Sequence, residues 1–132
     1  MNWDEFSKEI TALSTRIDVE PDCIVGVARG GLVPARILAN ELNVKDMYVL
    51  TVKKVGDERK VTTEIVEDLS GKKVLLVEDM LETGKSLIVA KKYLEEKGAQ
   101  VRTTCLYILP QSEIKPDFFL KEITATVQFP WE

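Results

Sequence analysis

Short apolar runs alternate with amphipathic stretches along the chain, and this pattern predicts strands separated by helices. Four runs of strand length occur, at residues 23–28, 47–55, 74–77 and 101–109, and the first and third contain no charged residue. Strands without a polar face are typical of parallel sheets that helices cover on both sides. The sequence therefore predicts an α/β fold with a doubly wound, mostly parallel sheet.

Three segments carry apolar residues at helical spacing. They span residues 3 to 17, about 32 to 42, and 85 to 97, with Asn2 as a candidate cap before the first and Gly98 after the last. The remaining tail, Pro110 to Glu132, contains three prolines and is predicted to be poor in strands.

Composition sets the class of protein. The chain has 132 residues, of which 45% are hydrophobic, and we expect residues 1–132 to form one domain with a sizeable core. It contains no run of 18 apolar residues, so we expect no membrane span. The N-terminus lacks a basic region followed by an apolar run, so no secretory signal is predicted and the expected location is the cytoplasm.

Charge and residue usage exclude other functions. The 18 basic and 22 acidic residues are interspersed and give a net charge of −4, so the chain lacks the basic stripe of a nucleic-acid binder. Two cysteines without any histidine cannot form a usual zinc site. The absence of histidine also leaves carboxylates as the proton carriers near neutral pH.

The most informative stretch runs from Val74 to Ser86. A buried strand ends in the acids Glu78 and Asp79, and a Thr-Gly turn then leads into a helix. Carboxylates at the end of a strand, followed by the free amides of a turn and a helix start, indicate Mg²⁺ and a phosphorylated sugar. A nucleotide P-loop is excluded because Asp79 stands where that motif needs glycine. An ordinary strand, turn and helix with solvated acids remains an alternative.

A second loop of similar design follows the first strand. Ala28-Arg29-Gly30-Gly31 separates it from a helix that begins near Leu32. The glycines allow the backbone to approach an anion, and Arg29 supplies a fixed positive charge. Alone, this pattern is also typical of a plain strand-to-helix turn.

Both loops resemble a known family. The residues from Glu78 to Ser86, Glu-Asp-Met-Leu-Glu-Thr-Gly-Lys-Ser, resemble the phosphoribosyl-pyrophosphate (PRPP) motif of type I phosphoribosyltransferases, in particular the 6-oxopurine branch. Val25 to Pro34 is similar to the pyrophosphate loop of xanthine-guanine phosphoribosyltransferases. The resemblance covers residues 23–109 well and the tail loosely. It implies the type I phosphoribosyltransferase fold with a short C-terminal hood.

The resemblance also implies roles for these residues. The expected reaction transfers ribose 5-phosphate from PRPP to a purine base and releases pyrophosphate, with Mg²⁺ held at Glu78 and Asp79. The 5′-phosphate is expected at Met80, Leu81, Glu82, Thr83, Gly84, Lys85 and Ser86. Pyrophosphate is expected at Ala28, Arg29, Gly30 and Gly31, where the resembling loop has a cis bond between the first two residues.

The base site is expected in the tail. Lys115 to Phe118 resembles the segment before the purine pocket in hypoxanthine-guanine enzymes, and Phe129 to Glu132 is similar to the Pro-Trp-Asp that closes the pocket in xanthine-guanine enzymes. Base contacts are therefore predicted at Val127, Trp131 and Lys115, although a tail aromatic also serves as a packing anchor.

Two residues depart from the family pattern. Glu82 stands where the purine enzymes have an aspartate base, and Glu82 is therefore the predicted proton carrier. Leu109 replaces a lysine that holds the purine oxygen. These departures leave open a regulator that senses PRPP without catalysis, and an orotate or uracil enzyme is a third possibility.

Two further expectations concern the lid and the assembly. In the family, the region of residues 53–61 is a mobile lid, although its composition alone favours a solvated hairpin, with Lys53 and Lys54 as weak candidates for phosphate contacts. The resemblance also implies a homodimer or homotetramer.

Overall fold

One sheet organises the structure. The computed structural model describes all residues from 1 to 132, and seven strands form a sheet in the order β3-β2-β1-β4-β6-β5, with β7 also paired to β6. The strands are β1 Cys23–Ala28, β2 Met47–Val55, β3 Glu58–Val61, β4 Lys73–Val77, β5 Met80–Leu81, β6 Gln100–Ile108 and β7 Phe118–Glu122. The helices are α1 Trp3–Ser14, α2 Leu32–Glu41 and α3 Lys85–Glu96.

The strand pairing confirms the predicted mostly parallel sheet. Every pair is parallel except β2 with β3, which form an antiparallel hairpin. The central strands β1 and β4 are buried on both faces because side chains alternate between two cores: Ile24 and Leu75 lie in one, and Val25 and Leu76 in the other. Helices α1 and α2 cover the first core and α3 covers the second, as in a doubly wound fold.

Local sequence explains the helix boundaries. The side chain of Asn2 caps α1 by accepting a hydrogen bond from the Glu5 N–H at 2.8 Å. Each helix ends before its predicted limit, α1 by three residues and the others by one. None of the three helices is long and apolar enough to cross a bilayer.

The structure contains three short strands that the sequence pattern does not predict. Strand β3 completes the hairpin favoured by composition, and β5 continues the line of β4 after Glu78 and Asp79. Strand β7 lies in the tail, with Phe118 beside Thr104 of β6. Its five residues contain only three apolar side chains, so the pattern is too short to identify it.

Candidate active site at the carboxyl edge of the sheet

The loop after β1 is the first part of the site. The peptide bond between Ala28 and Arg29 is cis, which confirms the prediction for this position. The amides of Arg29 and Gly30 have no acceptor in the chain, whereas the Gly31 N–H donates to the Val27 carbonyl at 2.8 Å. Arg29 is exposed and forms no ion pair. The loop therefore presents two open N–H groups and one free cation.

Gly31 allows this loop to sit tightly against the sheet. A Cβ at Gly31 would lie 2.8 Å from the Val27 oxygen and would also collide with the Val77 oxygen. Because both obstacles are backbone atoms, no side chain fits at this position. Gly31 therefore allows the loop after β1 to pack against the end of β4, directly before the two carboxylates.

Glu78 and Asp79 continue the main-chain ladder beyond β4. The Glu78 N–H donates to the Thr104 carbonyl at 3.0 Å, and the Asp79 carbonyl accepts from the Leu106 N–H at 2.9 Å. The pairing of β1 with β4 has already ended at Val77. The two carboxylates therefore occupy the gap that opens where β1 leaves the sheet, the position where α/β folds bind ligands.

The side chains of Glu78 and Asp79 lie on different sides of this gap. Asp79 lies against Gly30 of the first loop, and its Oδ1 accepts a hydrogen bond from the Met80 N–H at 2.6 Å. Glu78 instead lines a cavity that it shares with the loop after β5. Adjacent residues of an extended chain point to opposite sides, which explains the division.

Burial makes ionisation of both acids unfavourable. It raises the pKa of Glu78 well above its ordinary value, and the charge of Asp79 raises it further. Burial also raises the pKa of Asp79, to about 6, with a smaller contribution from the charge of Glu132. Neither acid pairs with a cation in the chain. A bound cation would relieve this unfavourable charge.

The turn from β5 to α3 forms an anion cradle. The amides of Glu82, Thr83, Gly84, Ser86 and Leu87 have no backbone or side-chain acceptor. All of these residues except Leu87 line a cavity of about 130 Å³. The lining consists of Arg59, Glu78, Met80, Leu81, Glu82, Thr83, Gly84, Lys85 and Ser86. Open amides at a helix start, together with the partial positive charge of the helix dipole, favour a phosphate group.

Arg59 is the residue in this cavity that the sequence analysis did not select. It lies on β3 opposite Lys54 of β2, and it is half-buried while its neighbours Glu58 and Lys60 are exposed. Arg59 shares the period-2 face of Val61, which packs against the core, and that alternation was the available signal. The candidate lid residues Lys53 and Lys54 are exposed and line none of the cavities at this edge.

The tail reaches the first loop through Trp131. This ring stacks on Phe129 with centroids 4.7 Å apart and meets Phe6 of α1 edge-on at 5.0 Å. A cavity of about 490 Å³ is lined by Arg29, Gly30, Trp131 and Glu132. The Nε1–H of Trp131 is buried without a hydrogen-bond partner. Trp131 is therefore a packing anchor that also borders the site.

The other predicted base contacts are less close to the loops. Val127 is half-buried and packs against the core on the side of α1 and α2. The Lys115 ammonium lies 5.6 Å from the ring centre of Phe119, which pairs with Cys105. Lys115 is exposed and lines neither of the cavities at the two loops, so the structure does not bring it to the other site residues.

A separate cavity of about 440 Å³ lies at the opposite edge of the sheet, beside Lys73 and Gln100, the first residues of β4 and β6. Ligands of open α/β sheets bind at the carboxyl ends of the strands. The site at the carboxyl edge is therefore the better candidate, although its cavity of about 130 Å³ is smaller than the cavity at the opposite edge.

Comparison with known proteins agrees with this geometry. A family model described as the phosphoribosyl transferase domain matches residues 2–132. The chain belongs to the phosphoribosyltransferase family. A purine phosphoribosyltransferase from Pyrococcus horikoshii is 34% identical, with a TM-score of 0.92 over 100% of this chain and 92% of that one. The xanthine-guanine phosphoribosyltransferase of Chromohalobacter salexigens is 29% identical, over 100% of this chain and 82% of that protein.

The phosphoribosyltransferase fold is shared with more distant structures as well. A xanthine-guanine-hypoxanthine phosphoribosyltransferase from Helicobacter pylori superposes with a TM-score of 0.85 at 23% identity, over 99% of this chain and 90% of that one. The predictions of this fold and of a transferase enzyme are confirmed at the level of the family. The roles of individual residues remain predictions.

Proposed function

We propose that this phosphoribosyltransferase is Mg²⁺-dependent and transfers ribose 5-phosphate from PRPP to a 6-oxopurine base, with release of pyrophosphate. One observation carries the proposal: two loops with open amides flank a half-buried pair of carboxylates. PRPP has the matching order of groups, with a phosphate at one end, two hydroxyls in the middle and a pyrophosphate at the other end. The named relatives, which are purine and xanthine-guanine enzymes, support the choice of base.

The 5′-phosphate occupies the cradle formed by residues 82–87 in this proposal. Its oxygens accept hydrogen bonds from the open amides, and the Arg59 guanidinium balances its charge from the other wall of the cavity. This end of PRPP stays attached to the ribose during the reaction. The cradle therefore orients the sugar for the reaction.

The leaving pyrophosphate occupies the first loop. The amides of Arg29 and Gly30 and the free Arg29 side chain are aligned at the carboxyl end of β1 to receive it. Negative charge develops on this group as the bond to the ribose breaks. Donors that are fixed before the reaction stabilise that charge without reorganising.

Glu78 and Asp79 fit a magnesium ion. They are oxygen donors on the two sides of one gap, neither has a cationic partner, and no cluster of three or more ligating side chains exists that would form a complete protein cage. Mg²⁺ prefers one or two carboxylates and takes its other ligands from water and substrate oxygens. When bound, the ion would neutralise charge on the pyrophosphate, and Glu78 and Asp79 would hold it near the ribose hydroxyls.

Glu82 carries the proton in this proposal. Glu82 is exposed and borders the same cavity as Glu78, the cavity assigned to the 5′-phosphate. A purine nitrogen that attacks the ribose carbon must lose a proton, and the chain has no histidine to accept it.

The base lies between the first loop and the tail. Trp131 contributes from the cavity it shares with Arg29 and Gly30, while Val127 supplies an apolar contact. Lys115 can take part only if it leaves the face of Phe119. Because Leu109 offers no ammonium to the purine oxygen, selection among hypoxanthine, guanine and xanthine is expected to be loose.

The proposal also covers the domain organisation, the location and the assembly of the protein. We propose that residues 1–132 act as one domain, that the enzyme works in the cytoplasm, and that it assembles as a homodimer or homotetramer. The family match over residues 2–132 supports the first statement. The assembly is checked by light scattering of the purified protein, where a monomeric mass would contradict it.

The test is pyrophosphate release from PRPP and guanine, with and without Mg²⁺. We expect release that requires the metal and that the Asp79→Asn variant lacks, with its circular dichroism unchanged. Asp57→Asn is the matched control, because Asp57 is an exposed acid at the tip of the β2–β3 hairpin. A wild-type protein that binds PRPP but transfers it to no base would contradict catalysis and indicate a PRPP sensor.

A further inference from the structure

The segment after β6 lies against the phosphate cradle. We call residues Pro110–Ile114 the outer loop. The Glu113 N–H donates to the Thr83 carbonyl at 2.8 Å, and the preceding Leu109 N–H donates to the Leu81 carbonyl at 3.0 Å. Two main-chain hydrogen bonds therefore tie this stretch to the turn that carries the open amides.

The outer loop also packs directly on Gly84. This residue has a φ of +78°, and a Cβ there would lie 2.8 Å from the Ser112 Oγ and 2.6 Å from the Ile114 Cγ2. The outer loop thus occupies the space that a side chain at Gly84 would need. The cradle is held from one side by contact as well as by hydrogen bonds.

One hydroxyl closes the turn of the outer loop. The Ser112 Oγ donates to the Ile114 carbonyl at 2.8 Å and accepts from the Ile114 N–H at 3.5 Å. This ring fixes Glu113 between two constrained neighbours, and it aims the Glu113 N–H at Thr83 and the Ile114 methyl group at Gly84. Ser112 itself lines neither cavity at the loops.

We propose that Ser112 is a positioning residue for the 5′-phosphate. Through the outer loop it holds Thr83 and Gly84 where their amides converge on the phosphate. This inference rests on the proposed function, since the ligand of the cradle is the 5′-phosphate of PRPP. Open amides bind a phosphate tightly only when they are already aligned, and a misplacement of about 1 Å in an active site can lower the reaction rate by about 10²-fold.

The test compares two ligands that occupy different parts of the site. Calorimetry measures the dissociation constants of ribose 5-phosphate and of Mg²⁺-pyrophosphate for the wild type and for Ser112→Ala. We expect the constant for ribose 5-phosphate to rise about tenfold, while that for pyrophosphate stays within about twofold. Ser112→Thr keeps the hydroxyl, and we expect it to retain most of the wild-type affinity.

The chain offers a matched control at the other end of α3. Ser70 lies against Gly98, where a Cβ would be 2.9 Å from the Ser70 Oγ, and Gly98 also has a positive φ, +87°. Ser70→Ala removes the same hydroxyl from the same type of contact. Its affinity for ribose 5-phosphate should equal that of the wild type.

The possible outcomes are distinct. An unchanged ribose 5-phosphate affinity in Ser112→Ala, or an equal loss for both ligands, overturns the positioning role. If Ser112→Ala does not fold, Ile114→Ala decides the matter in the same assay, because it removes the methyl contact with Gly84 and leaves Ser112 in place. A wild type that binds neither ligand contradicts the proposed function itself.

Discussion

Gly30 lies directly against the carboxylate of Asp79. A Cβ at Gly30 would be 2.6 Å from the Asp79 Cγ and 2.7 Å from its Oδ1, and nearer still to its Oδ2. The loop after β1 and the carboxylate pair therefore meet in one site, although 49 positions separate Gly30 from Asp79 along the chain. The contact leaves no space for a side chain, and this makes the glycine a test of the arrangement.

Replacing this glycine should disable the site without unfolding the protein. In Gly30→Ala, the new methyl group must displace either Asp79 or the loop, and we expect turnover of PRPP to fall by about 10²-fold or more. Gly71→Ala is the control. Gly71 has a φ of +74° in open space, so its substitution costs about 1–2 kcal/mol of stability and should leave turnover unchanged. Equal activity of Gly30→Ala and wild type would contradict the shared site.

The raised pKa of Asp79 predicts how stability depends on pH. A carboxyl group whose pKa rises on folding, here from 3.8 to about 6, stabilises the fold through its protonated form. That contribution is complete below the ordinary pKa and is lost as the pH rises through about 6. Without metal, the wild type should therefore lose stability relative to Asp79→Asn between about pH 4 and pH 7.

Urea unfolding in the presence of a chelator measures this difference. The same experiment with Mg²⁺ should reduce the loss at neutral pH, because the ion binds the ionised carboxylates of the folded state. A difference between wild type and variant that does not change with pH would show that burial of Asp79 has no such effect.

Arg59 should contribute to the binding of PRPP, although it lies on the hairpin and far from both loops in sequence. It borders the phosphate cavity, so Arg59→Ala should raise the KM for PRPP by about tenfold or more through loss of a charge-assisted hydrogen bond. Lys60→Ala is the matched control, since Lys60 is the next residue and lies exposed on the other face of β3. If both variants raise the KM equally, the effect is one of general charge rather than contact.

Much of the fold can be predicted from the sequence, because strands without a polar face lie at the centre of a parallel sheet that helices cover on both sides. Residues 23–28 and 74–77 identified the centre of the sheet, and the motifs at its carboxyl edge followed from the ends of those strands. Strand β7 could not be identified in this way, and β3 was expected only as part of a solvated hairpin that composition favoured. Each depends on pairing with a neighbour, and their short, partly polar sequences have no pattern that specifies that neighbour.

The candidate site, like the fold, could be predicted from the sequence only in part. The loops at Arg29 and Glu78 are contiguous in sequence, so their main-chain chemistry could be predicted, whereas the cis bond before Arg29 was expected only from the resemblance to the family. Arg59 and the tail reach the site through tertiary packing, for which the sequence offered only the alternation of Arg59 with Val61 and the resemblance of the tail to the family. Trp131 illustrates the limit: its partners Phe6 and Phe129 make it an anchor, and its border with the site follows from that packing.

Glu82 should affect the chemical step more than substrate binding. We expect Glu82→Gln to lower kcat by about 10²-fold, because the amide cannot accept a proton, while the dissociation constant for PRPP changes little. Glu113→Gln is the control, since Glu113 is an exposed acid whose backbone contacts the same turn. Unchanged kcat in Glu82→Gln would leave this residue as a turn acid without a catalytic part.

The central claim is most directly tested by letting bases compete. Wild-type enzyme with PRPP and Mg²⁺ is offered equal amounts of hypoxanthine, guanine, xanthine, adenine and uracil, and the nucleotides formed are separated and quantified. The account predicts 5′-monophosphates of one or more of the three 6-oxopurines, each formed with one equivalent of pyrophosphate. Nucleotides of adenine or uracil as the main products, or no nucleotide at all from a protein that binds PRPP, would contradict it.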